Sequence, residues 1–169
     1  MWQYDGQERP EFAVEPQAGQ ESVWDYPRPP RIDPENREVI VKNPQGELVA
    51  KTSNAKRLCE TASPPQFYVP MTDVVLSRLV ICPGSSFCEW KGRARYWSLA
   101  AGGQAVGWDY PEVNQAYAVL KEHIAFYPGR MICSVAGEAV VPQSGEFYGG
   151  WITTELVGPF KGEPGTGHW

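Results

Sequence analysis

Glycine and proline interrupt this chain so often that long helices are disfavoured. With 17 glycines and 16 prolines among 169 residues, nearly a fifth of all positions either free the backbone or fix it, which favours short elements joined by tight turns. The runs between these breaks read as strands. Residues 37–52 (REVIVKNPQGELVAKT) set two β-branched runs around Asn43-Pro44-Gln45-Gly46, the chemistry of a hairpin turn. Asn54 is then placed to cap a short helix over residues 54–62, stopped by Ser63-Pro64-Pro65, and a strand is expected over residues 73–81.

The second half repeats this order. Residues 94–108 read as strand, Gly102-Gly103 turn and strand; in residues 111–127 Val113, Ala116, Tyr117, Leu120 and Ile124 share one helical face, with Pro111 suited to a first turn. A strand-turn-strand over residues 131–141 and a last strand-like run over 150–158 follow. Gly46 aligns with Gly103, and Phe67 with Phe126, at nearly the same offset, which points to an internal duplication of hairpin, helix and strand, with pseudo-repeats at about 37–81 and 93–141. Trp24-Asp25-Tyr26-Pro27 returns as Trp108-Asp109-Tyr110-Pro111 far outside that offset, so duplication does not explain it; at Asp109 the plain reading is capping of the helix that follows.

The expected fold is mainly β (α+β): a compact antiparallel β-sandwich or barrel-like domain with one or two short helices. Residues 1–36, broken by Pro10, Pro16, Pro27, Pro29, Pro30 and Pro34, form a Pro-rich arm whose Trp24 and Tyr26 pack on the domain. Residues 37–160 make a single β-rich domain, and 161–169 a flexible tail.

A net charge of −5 and a pI near 5.1 argue against nucleic acid and anionic membranes as partners, since both require a positive field. No run of about 18 apolar residues exists and the first residues carry acids in place of an apolar stretch, so a soluble, cytoplasmic protein is expected. Cys59, Cys82, Cys88 and Cys133 form no C-x-x-C pair and only His123 and His168 could assist them, so no metal and no cofactor is assigned and reduced thiols are the default.

The segment richest in chemistry is Cys88-Glu89-Trp90-Lys91-Gly92-Arg93-Ala94-Arg95-Tyr96-Trp97. Its three cations, interleaved with rings, suit an anionic group and a planar one held side by side. In a strand, Arg93, Arg95 and Trp97 share one face and Ala94 and Tyr96 the other; the competing reading is a solvated basic face over core aromatics. Cys88 is a candidate nucleophile if Lys91 lowers its pKa, against the alternative of a structural thiol. Arg57 and Glu60, i and i+3 on the expected helix, form either an ion pair or a general base with its orienting cation. Arg130, beyond the Tyr127-Pro128-Gly129 turn, is placed to meet an anion unless the turn is mere punctuation. The glycine-rich end, GPFKGEPGTGHW, lacks phosphate-loop spacing.

The stretches ESVWDYPRPPR, FCEWKGRARYWSL, GWDYPE, IAFYPGRM and FYGGWITTELVGPFKGEPGT together resemble the family catalogued as domain of unknown function 427, over about Glu21 to Thr166, with the C-x-x-K-G-x-A-x-Y-W core at Cys88–Trp97 the most specific part. The resemblance implies a compact, mainly antiparallel β-domain, and a nucleotidyltransferase-like label attached to the family implies phosphate-bearing ligands. Many members carry His where this chain has Phe87, so a Cys-His pair is not implied here. Nucleotidyl transfer needs closely spaced carboxylates for Mg²⁺, and none is expected.

Two functions remain open at this point. The first is a pocket for a small organic anion or nucleotide-like molecule, with Arg57, Lys91 and Arg130 as cations and Trp24, Tyr26, Trp90, Tyr96, Trp108, Tyr110 and Tyr127 as walls, its reaction unassigned. Cys88, Lys91 and Glu60 are the candidate catalytic groups. The alternative is a non-catalytic interaction module that docks a protein partner, or a second copy in a homodimer, through the Pro/aromatic arm.

Overall fold

A computed structural model describes residues 2–169. The strands run β1 (Glu21–Ser22), β2 (Arg31–Glu35), β3 (Val39–Lys42), β4 (Leu48–Thr52) and β5 (Ala55–Cys59). β6 (Gln66–Pro70), β7 (Leu79–Cys88), β8 (Gly92–Leu99), β9 (Ala105–Val113) and β10 (His123–Phe126) complete the larger sheet. β11 (Ile132–Val135), β12 (Glu138–Ala139), β13 (Val141–Pro142), β14 (Trp151–Ile152) and β15 (Leu156–Val157) close the chain. Seven strands form an antiparallel sheet in the order β2-β5-β6-β10-β9-β8-β7, four form a second in the order β12-β11-β3-β4, and neither closes into a barrel. Among the described residues no helix is long and apolar enough to cross a membrane.

Period-two alternation decides what each face of the large sheet does. Phe67, Val69, Ile124 and Phe126 point to one side and pack on Val39, Val41, Val49 and Val135 of the smaller sheet. Trp151, fully buried, stacks on Phe67 at 4.6 Å and its indole N–H donates to the Phe126 carbonyl at 3.0 Å. The other face carries Leu58, Tyr68, Ala94, Trp108, Tyr110 and Tyr127. A bulge helps aim them: Trp97 pairs with Gly107 and Ser98 with Ala105, so Val106 is the extra residue. It shifts the alternation, sending Val106 to the first face and Trp108 to the second. Gly107 is required there, because a Cβ would lie 2.6 Å from the Ala125 carbonyl oxygen.

Both expected α-helices are absent. Residues 55–59 are β5, since backbone groups between β2 and β6 need ladder partners on both edges. Residues 105–113 are strand past Pro111, followed by a 3-10 segment at Gln115–Leu120 and then β10. The apolar pattern that suggested a helix survives as burial of Tyr117, Leu120 and Ile124. The two expected hairpins, β3-β4 and β8-β9, lie in different sheets. Asp109 caps nothing; on β9 it accepts from Arg95 at 3.0 and 2.8 Å and from the Trp97 indole at 2.9 Å.

The arm is more integrated than its prolines suggest. Its β1 pairs in parallel with β15 and its β2 forms one edge of the large sheet. Trp24 and Tyr26 sit in a third cluster with Cys59 and Leu156. Residues 161–169, expected as a flexible tail, also dock: Lys161 N–H donates to the Ala62 carbonyl and Trp169 stacks on Phe12.

Two outcomes check this packing. Trp151→Ala removes the stacked ring and its hydrogen bond, and chemical denaturation should show a loss of about 3–5 kcal/mol. His123, whose Nδ1 lies 2.8 Å from the Lys121 carbonyl and whose Nε2 lies 3.0 Å from the Lys56 amine, is held below its ordinary pKa of 6.5 first by burial and then by Lys56. The unfolded chain therefore takes up a proton that the native one resists, and stability should fall as pH drops through 6.5 and below. His123→Gln should flatten that part of the denaturation profile.

Candidate functional site

The second face of the large sheet is only partly covered, and a cavity of about 460 Å³ lies over it. Its floor is the sheet itself, through Leu58 on β5, Gln66 on β6, Ala94 and Tyr96 on β8, and Trp108 and Tyr110 on β9. The β7-β8 turn supplies one end with Cys88, Trp90 and Lys91. Tyr148, Lys161 and Trp2, far apart in sequence, border the cavity as well.

Lys91 is the unusual member. Its turn is fixed by Asn114, whose backbone N–H donates to the Lys91 carbonyl at 2.9 Å and whose side-chain amide donates to the Trp90 carbonyl at 2.8 Å. Gly92 then takes φ +106, a left-handed value that glycine accepts freely. The side chain bends into the cavity with only 4% of the residue exposed. None of the ion pairs among the described residues includes it. The ammonium instead faces the Tyr110 ring at 5.3 Å and the Tyr68 ring at 6.0 Å, with Gln66 Oε1 at 3.4 Å. An ammonium withdrawn from water without a counter-charge is costly.

The phenols of Tyr68, Tyr110 and Tyr127 stay protonated. Burial pushes Tyr68 and Tyr110 well above the ordinary phenol range, and Tyr127 to about 12. Tyr68 donates to Gln66 Oε1 at 3.1 Å and accepts from the Trp108 indole at 3.3 Å. The Tyr96 and Ser86 hydroxyls lie 2.7 Å apart. Lys161, also in the lining and 6% exposed, has its pKa lowered by burial and then by Arg28. It donates to the Trp169 carbonyl at 3.1 Å and lies 4.3 Å from the Trp2 ring.

Of the expected catalytic groups, Cys88, Lys91 and Glu60 all line this cavity, as do Trp90, Tyr96, Trp108, Tyr110 and Tyr127. Cys88 is a free thiol. Arg57, Arg130, Trp24 and Tyr26 do not line it. Arg57 is in a strand, not a helix, so alternation turns it to the face of Phe67, where it pairs with Glu21 and the Tyr26 hydroxyl while Leu58 takes the cavity side. Arg130 folds back over the Tyr127 ring at 4.2 Å and donates to the Ala105 and Glu146 carbonyls. Trp24 is buried, its indole N–H given to the Pro159 carbonyl. Asp33-Pro34-Glu35 does form an Asp-x-Glu string, contrary to expectation, but both carboxylates lie outside the cavity, paired with Arg31 and Arg37. No cluster of three metal-ligating side chains exists among the described residues.

Sequence reasoning missed Arg28, Gln66, Tyr148 and Lys161. Arg28 ties the closure together: its guanidinium binds Glu60 at 3.0 Å, donates to the Tyr4, Thr61 and Trp169 carbonyls, and lies 4.1 Å from the Trp2 ring. The loop carrying Tyr148 approaches so closely that a Cβ on Gly149 would sit 2.3 Å from the Trp108 ring. The signal for Lys161 was a lone lysine in a glycine-rich end, which carries no period from which to read burial.

A family model described as a domain of unknown function (DUF427) matches residues 31–137, well over half of the chain. No curated protein matches the chain. The matched region runs from β2 through β11 and holds the cavity floor and Lys91, whereas Trp2, Tyr148 and Lys161 lie outside it.

Because Arg28 is nearly buried and joins three segments, Arg28→Met should cost about 3–5 kcal/mol in denaturant titration, with Glu60 left unpaired. Tryptophan emission should shift to the red as Trp2 and Trp169 meet water.

Proposed function

We propose that this chain, which belongs to the family described as a domain of unknown function (DUF427), holds a small organic anion or nucleotide-like molecule in the Lys91 cavity. The observation that carries this reading is the Lys91 ammonium: buried, turned into an aromatic cavity, and without a carboxylate partner among the described residues. A bound anion supplies the missing counter-charge, and the tyrosine rings and hydroxyls supply stacking and donors. Glu60 and Cys88 border the same space, so a reacting group on the ligand would have an acid and a thiol at hand; the reaction itself is unassigned.

Docking of a protein through the arm is less favoured. Trp24 and Tyr26, the aromatics it would use, are consumed inside the chain's own third cluster.

Ligand-induced thermal shifts with inorganic phosphate, nucleotides, sugar phosphates and carboxylates test the reading. A ligand at a hundred times its Kd should stabilise the protein by about 2.7 kcal/mol, and Lys91→Met should abolish that gain. Without ligand, Lys91→Met should be neutral or stabilising, by about 1 kcal/mol or more, since it removes an uncompensated buried charge. Ligand stabilisation that persists in Lys91→Met would reject the site.

A further inference from the structure

The polarity of the cavity is graded. Lys91 is 4% exposed, while Phe87 and Phe147, which also line the cavity, are 71% and 69% exposed. Two exposed phenylalanine rings, Phe87 near the end of β7 and Phe147 in the segment between β13 and β14, give the lining an apolar collar beside its charged groups.

The charges of the lining also nearly cancel. Its ionisable carboxylates and amines are Glu60, Glu89, Lys91 and Lys161, two of each sign. Glu60 is held by Arg28, and Lys161 is capped by the Trp169 carbonyl with its pKa lowered by burial and by Arg28. Glu89 is exposed, accepts from the Trp2 indole at 3.0 Å, and so places negative charge near the opening. Among the described residues, what remains for a ligand is Lys91 and Lys161, neither of them in an ion pair, set against Glu89, a net of one positive charge. A nucleoside triphosphate, with three or more negative charges, would exceed that net charge and meet repulsion from Glu89. A single carboxylate on a flat apolar body suits this lining: the head meets Lys91, and Trp90, Tyr96, Trp108 and the exposed Phe87 and Phe147 offer rings for the body to pack on.

We infer that the ligand of this cavity is a ring-bearing monocarboxylate, bound carboxylate-inward against Lys91 with its aromatic end in the collar of Phe87 and Phe147. This rests on the reading of the cavity as an anion site and narrows it to one ligand class.

Isothermal titration of the full chain with 2-naphthoate, octanoate, acetate, inorganic phosphate and ATP distinguishes the alternatives. 2-Naphthoate should bind at least tenfold more tightly than acetate, phosphate or ATP, and more tightly than octanoate, whose flexible chain cannot stack. The double variant Phe87→Ser/Phe147→Ser, which changes two exposed side chains, should reduce the naphthoate-over-acetate preference severalfold. Lys91→Met should abolish binding of every carboxylate. Equal binding of naphthoate and acetate, octanoate matching naphthoate, ATP binding tightest, or an unaltered preference in the double phenylalanine variant would overturn this inference, while the anion site stands as long as Lys91→Met removes binding. Binding that survives Lys91→Met, or no probe binding at millimolar concentration, would overturn both.

Discussion

A seven-stranded sheet has two faces to keep from water, and the rest of this structure follows from how unequally they are covered. The first receives a second sheet and an apolar core around Trp151. The second has no matching layer. It is covered by a 3-10 segment, an aromatic cluster, and pieces of chain from both ends. A cavity is what remains when a broad, regular surface is roofed by irregular segments, and its floor inherits the rigidity of the ladder beneath it.

The same asymmetry explains which residues were legible in the sequence. The hairpin of residues 37–52, the Gly-Pro punctuation and the β-rich class could be read because turn chemistry and short periods are local. The alternation of Arg95 and Trp97 against Ala94 and Tyr96 could be read for the same reason, although it did not say which of the two faces would meet the cavity. Arg57 was misplaced because helix or strand at residues 54–62 is decided by the neighbours β2 and β6, which are not local. One wrong period there moved a cation to the wrong side of the sheet. Lys161 and Arg28 were out of reach altogether, since their roles depend on the two ends of the chain meeting over the same surface.

The recurring Trp-Asp-Tyr-Pro string shows how little a motif fixes without its setting. In the first copy Asp25 pairs with Arg9 on the surface and the tryptophan anchors the arm. In the second, Asp109 is buried against Arg95 on β9 and the tryptophan forms cavity floor. The aromatic and acidic groups are the same; the strand under the second copy, and the bulge just before it, give Trp108 an exposure to the cavity that Trp24 never has.

Gly149 gives the cavity an unusual kind of adjustability. The floor ring of Trp108 rests against a position with no side chain, where even a methyl carbon would intrude to 2.3 Å. Enlarging that residue would push on the tip of the indole, so the accessible shape is set by a buried backbone position outside the lining as much as by the side chains facing inward. For directed evolution toward new ligands, this makes residue 149 a handle on cavity size that a survey confined to the visible lining would overlook.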